Sequence, residues 1–243
     1  VIHLVAAAIT GDIAKVRDAS PDLWRQIRRY NLPVQLALAA AQEVAKEAEN
    51  PATAALFSLA PCQSGSPELY QWVHTAAAAG PGGYIGNLRV NPTHTLHAVD
   101  NLALSAFAIM HRNHACCLGL GGAAGQAWCG LEALQERLLA GTETEAILMA
   151  GDQEVGESTT GAGIALLFSR TPTPCRSLGR LVKLVSVQRV RRDKTISVQP
   201  HATAGLAALV STIRNMGISN FSYAVPPEQT SGMDHVTIVM EVS

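Results

Sequence analysis

The sequence predicts an α/β protein with a mainly parallel sheet. Segments with apolar residues at helical spacing alternate along the chain with short apolar runs. Two of those runs, 146–150 and 163–168, show no polar alternation, the pattern of strands buried on both faces. Composition agrees: 48% of the 243 residues are apolar, 15% charged and 5% aromatic. A chain rich in Ala, Leu and Val suits helices packed closely on a sheet, with apolar surface left for an obligate partner.

The elements follow in order. Residues 1–9 read as a first buried strand; they lack a basic leader and are too short to span a bilayer. Ser20-Pro21-Asp22 opens a helix through Trp24, Ile27 and Tyr30, and Pro33 starts a second over 34–48. A strand is expected at 54–59, a helix from Glu68 to about Ala78, and a glycine-rich loop at 80–86. A buried helix at 101–110 precedes a strand at 115–120. After a glycine-rich turn, a helix over 127–140 carries Ala127, Leu131, Leu134 and Leu138 on one face and stops at Gly141. Beyond the two apolar strands, Thr171-Pro172-Thr173-Pro174 marks a joint. A strand near 181–187, a helix over 202–215 and a strand at 236–242 complete the chain.

Composition also excludes several classes. A net charge of −1 recruits neither nucleic acid nor an anionic membrane. Five cysteines without a CxxC pair argue against a disulfide framework or zinc site, and a reducing cytoplasm is the expected location. No run of about 18 apolar residues predicts a membrane span. No metal or cofactor is expected.

Strand, glycine-rich turn, helix is the arrangement by which α/β enzymes expose a nucleophile beside helix N-terminal amides. Here the turn reads Gly121-Gly122-Ala123-Ala124-Gly125-Gln126, with no serine, threonine or cysteine. Around it, Val99-Asp100-Asn101-Leu102-Ala103, Leu139-Ala140-Gly141 and Leu148-Met149-Ala150-Gly151 resemble β-ketoacyl synthases of the thiolase-like superfamily. So do Arg89-Val90-Asn91-Pro92-Thr93 and Gly161-Ala162-Gly163-Ile164-Ala165-Leu166. In that family the catalytic cysteine follows the upstream Asn by about 23 positions and precedes the helix-ending Gly by about 17. Counted from Asn101 and back from Gly141, both spacings land on Ala124.

The resemblance covers residues 20–170 well and the remainder loosely. It implies a thiolase-like layered αβαβα fold with a truncated second half: residues 1–170 as a ketosynthase-like first half, and 171–243 as an abbreviated second half on the same core. The nearest form is the cysteine-less chain-length-factor-like subunit of aryl polyene and related type II polyketide systems. Such a subunit pairs with a cysteine-bearing ketosynthase, and the pair extends a chain held on an acyl carrier protein. The resemblance further implies that His94, Leu96, His97, Val99, Asn101, Ala115 and Cys117 line the partner interface and acyl tunnel. The basic residues Arg189, Arg191, Arg192 and Lys194 are a candidate docking patch for the acidic carrier protein, against a solvated edge as the plainer reading; Arg25, Arg28 and Arg29 form a lesser cluster.

The family's two catalytic histidines are not matched. No His-Gly-Thr occurs, and the run 200–206 resembles the second motif with shortened spacing, leaving His201 as a remnant or an ordinary histidine at a helix start. His94, His97, His111 and His114 lack metal-ligand spacing with acids or cysteines. Cys116 and Cys117 on the strand and Cys129 inside the helix are expected to be inert.

Two other classes remain in view. Residues 119–124 match the dinucleotide pattern G-x-G-x-x-A, with Glu143 or Glu145 as the acid about 20 residues on. An independent serine acyltransferase or hydrolase is the other, without a G-x-S-x-G elbow to support it.

Overall fold

The computed structural model describes residues 1–59, 74–75, 78, 101–120, 127–153, 161–191, 202–215, 220–225 and 234–242. The first half runs β1 (Ile2–Thr10), α1 (Ile13–Ala19), α2 (Pro21–Ile27), α3 (Leu32–Ala45), β2 (Ala55–Leu59), α4 (Leu102–His111), β3 (Cys117–Leu120), α5 (Ala127–Ala140), β4 (Glu145–Gln153) and β5 (Gly161–Ser169). The second comprises β6 (Val182–Arg191), α6 (Ala202–Asn215), β7 (Asn220–Val225) and β8 (Asp234–Val242).

Local chemistry sets the helix ends. The Asn31 side chain accepts from the Val34 amide and, with Pro33 in the first turn, starts α3 two residues earlier than expected. Gly141 ends α5 at φ +86°, a left-handed conformation that glycine adopts without a Cβ penalty. The sequence did not predict α1, a seven-residue helix that buries no residue fully and touches the core only through half-buried Ile13 and Val16. The Asp12 carboxylate opens it, accepting from the amides of Ala14 (3.0 Å) and Lys15 (3.3 Å). Nor was β7 expected.

The eight strands form one sheet in the order β3-β2-β4-β5-β1-β6-β8-β7. The expectation of a mainly parallel sheet is corrected here: only the β2–β3 and β2–β4 neighbours are parallel, and the other five pairings are antiparallel. An unbroken apolar run reports that both faces are covered, not which way the strand points. Direction follows from the connection. Residues 154–160 between β4 and β5 are too few for a parallel crossover, which takes about a dozen or more.

The order also exposes an internal duplication. In the first half α5 leads into β4 and β5, and β5 lies between β4 and β1. In the second, α6 leads into β7 and β8, and β8 lies between β7 and β6. Both helices have 14 residues. Only residues 192–201 separate β6 from α6, too short a stretch for counterparts of β2, β3 and their helices. The second half is therefore abbreviated.

Two cores cover the sheet's faces. α5 and α6 pack on one face with Leu148, Ile164, Leu166, Val182, Leu184 and Met240, so both halves share a core. α3 and α4 lie on the other with Ile147, Met149, Ala165 and Leu167. α3 approaches through glycines: a Cβ at Gly151 would collide with the Pro33 carbonyl, and one at Gly163 with the Leu36 carbonyl. Where the halves meet, β6 bulges between Leu184 and Ser186. The Gln135 side chain bridges this bulge, donating to the Val185 carbonyl (3.1 Å) and accepting from the Val187 amide (3.2 Å).

Candidate functional site: a sheet edge beside two converging helices

Among the described residues β3 is the outermost strand, paired with β2 from Leu56↔Cys117 to Leu59↔Leu120. Cys117, Leu118 and Gly119 are exposed. An edge strand with apolar side chains and no charge is a template for another chain, and monomeric proteins usually blunt such edges. On the adjacent helix α4, Ile109 is 77% exposed.

Buried polar groups hold this edge. The Asn113 side chain donates to the carbonyls of Pro51 (2.7 Å) and Ala54 (2.8 Å), and it accepts from the amide of half-buried Ala115 (2.9 Å). The Glu143 carboxylate takes two bonds from Arg137, at 2.7 and 2.8 Å, and a third from the Cys116 amide at 3.3 Å. The Arg137 hydrogen bond outweighs burial and keeps the Glu143 carboxyl below its usual range. Nothing in the sequence marks Asn113 or Glu143 for this work; no periodicity singles out a carboxylate that bonds an amide 27 positions away.

The two helices of the shared core converge at their first turns: a Cβ on Gly205 of α6 would lie 3.9 Å from the Ala127 Cβ of α5. Between them Asp152 ends the buried part of β4 on the face of Leu148 and Ala150, and its carboxylate accepts from Thr203 of α6. The first turns of α5 and α6 thus meet.

Of the residues singled out from sequence, Cys117 lies on this edge strand, Ala115 just before it, and Asn101 beside Gly119 at the start of α4. Ala123, Ala124, Gly125 and Gln126 lie outside the described residues, as do His94, Leu96, His97, Val99, Arg192, Lys194 and His201. Arg189 and Arg191 belong to β6, paired with Val236 and Asp234 of β8. Burial, then Cys116, pushes the Cys117 thiol above its ordinary pKa, opposite to a nucleophile's requirement. Cys175 is fully buried, and Cys116 and Cys129 are half-buried. His111 shares a 2.9 Å hydrogen bond with Gln42 and stacks on Phe107, a structural role.

Among the described residues, no group of three His, Cys, Asp or Glu is placed to hold a metal. No described helix is long and apolar enough to cross a membrane. The dinucleotide pattern starts on an edge strand rather than where the strand order reverses. Its two candidate acids are engaged elsewhere, Glu143 with Arg137 and Glu145 with the amides of Glu49 and Asn50.

Neither family models nor curated protein sequences match the chain. Solved structures do. A ketosynthase (ApeO) in complex with its chain length factor (ApeC) from Xenorhabdus doucetiae is similar at 14% identity and TM-score 0.56, over 88% of this chain and 79% of that one. The ishigamide ketosynthase/chain length factor is similar at 14% identity and TM-score 0.52, over 78% of this chain and 67% of that one. AntDE:AntF, a type II acyl carrier protein in complex with its ketosynthase, gives TM-score 0.63 at 8% identity, over 99% of each chain. At these identities the likeness establishes the fold alone: the thiolase-like layered α/β fold that these structures share.

Proposed function

We propose that this chain is a non-catalytic, chain-length-factor-like partner of a cysteine-bearing ketosynthase. It stabilises that enzyme and shapes its acyl tunnel during type II polyketide elongation of the aryl polyene kind, or during fatty acid elongation. The observation that carries the reading is the sequence between β3 and α5, where Ala124 stands at the position both spacings assign to the nucleophile. Alanine has no group to take up an acyl chain.

Three features support the rest. The uncharged edge of β3 suits a strand of a partner subunit; Cys117 is on it, Ala115 just before it and Asn101 beside it at the start of α4. His94, Leu96, His97 and Val99 belong to the segment that leads into α4, the one assigned to the partner's acyl pocket. Ketosynthase/chain length factor complexes share the fold. In this reading residues 1–170 meet the partner. Residues 171–243 close the core, and Arg189, Arg191, Arg192 and Lys194 offer a docking patch to an acidic acyl carrier protein in the cytoplasm. Tagged chain expressed in its own cells, purified and analysed by mass spectrometry, should carry a full-length cysteine-bearing ketosynthase. The pair should elongate carrier-bound chains and the lone chain should not. Acyl uptake by the lone chain would overturn the reading.

A further inference from the structure

We infer that Gly119 is a positioning residue for partner assembly, acting through its contact with Asn101. This rests on the reading of the chain as a ketosynthase partner. Gly119 is in the extended strand β3 and is not among the positive-φ glycines, so its backbone would accept an L side chain. What excludes one is a neighbour: an added Cβ would lie 2.9 Å from the Asn101 Cβ and 3.7 Å from its Cα. Separations below about 3 Å force a shift.

The two sides of the contact are unequally held. Asn101 is the N-cap residue of α4, makes no side-chain capping bond, and passes its carbonyl to the Ser105 amide at 3.0 Å. Directly behind it Leu102, Ala103 and Leu104 are buried, so α4 is anchored in the core. Among the described residues β3 is paired on one side only, with β2. A methyl group at Gly119 therefore pushes the edge strand rather than the helix, and displaces the edge offered to the partner. Glycine here serves close approach of a helix start to an interface strand, not conformational freedom.

The test uses the ketosynthase that co-purifies with the wild-type chain, its affinity measured against purified variants. Gly119→Ala should weaken assembly about tenfold, the scale of a modest overpacking penalty. In an Asn101→Gly background, which removes the opposing Cβ, the same change should cost less than about threefold. Equal affinity of wild-type and Gly119→Ala chains would overturn the inference while leaving the parent reading intact, as would equal losses in both backgrounds. Failure of the wild-type chain to bind any ketosynthase would overturn both.

Discussion

The Asp152 carboxylate accepts both the backbone N–H of Thr203, at 3.1 Å, and its hydroxyl, at 2.8 Å. Both residues are 3% exposed. A strand of the first half thus caps the first turn of the second half's helix, where a negative charge also meets the positive end of the helix dipole. Asp152→Ala leaves two buried donors without an acceptor and should cost about 3 kcal/mol in urea denaturation, with Asp152→Asn costing less. A loss below about 1 kcal/mol in the alanine variant would show that the halves do not depend on this bond.

Gly163 gives a second test of how the layers meet. A Cβ there would run into the Leu36 carbonyl and lie 2.8 Å from the Ala37 amide nitrogen. These are main-chain atoms of a buried helix, so no side chain can swing aside. Gly163→Ala should destabilise by about 3 kcal/mol, measured by thermal melting, or stop folding. Gly179, with φ +62° and open space around its Cβ position, tests a different effect: its alanine variant should show only the smaller penalty of a left-handed backbone, about 1 kcal/mol.

Stability should fall on mild acidification through His111. Burial holds its imidazole pKa below the ordinary 6.5. The unfolded state therefore binds the proton more readily. The contribution is complete above pH 6.5 and is lost as pH falls from there through the folded pKa. His3 is shifted in the same direction, first by burial, with Lys183 adding to it. Unfolding free energies measured from about pH 7 down to pH 5 should decline. His111→Gln should flatten part of that decline, and an unchanged slope would remove His111 from the account.

Ala124→Cys should not produce a ketosynthase. A thiol without a nearby histidine keeps a pKa near 8.5, mostly protonated at neutral pH. Incubation of the lone variant with labelled acyl carrier protein should give no condensation product, and its appearance would show that the second half supplies more chemistry than its sequence suggests.

Product length tests the tunnel. If Leu96 and Val99 face the growing chain, Leu96→Phe or Val99→Trp should shorten the products of the assembled pair, while alanine at either position should lengthen them or broaden their distribution. Mass spectrometry of carrier-bound chains reads the outcome. An unchanged distribution with assembly preserved rules this segment out as the gate.

Most of the elements, and the chemistry missing from them, are legible in the amino-acid order alone. Helical spacing of Ala127, Leu131, Leu134 and Leu138 and the stop at Gly141 place α5 over the residues it occupies. The apolar runs of β4 and β5 are buried almost throughout, as their lack of alternation requires. That Ala124 is no nucleophile needs no coordinates. Strand direction, the exposed edge of β3 and the bonds between distant polar groups emerge from the folded arrangement instead. Periodicity along a chain records whether faces are covered, so β4 and β5 look alike whichever way they run. A polar side chain carries no trace in sequence of its partner either: Asp152 and Thr203 are 51 positions apart, and their bond exists because two helices and a strand end converge.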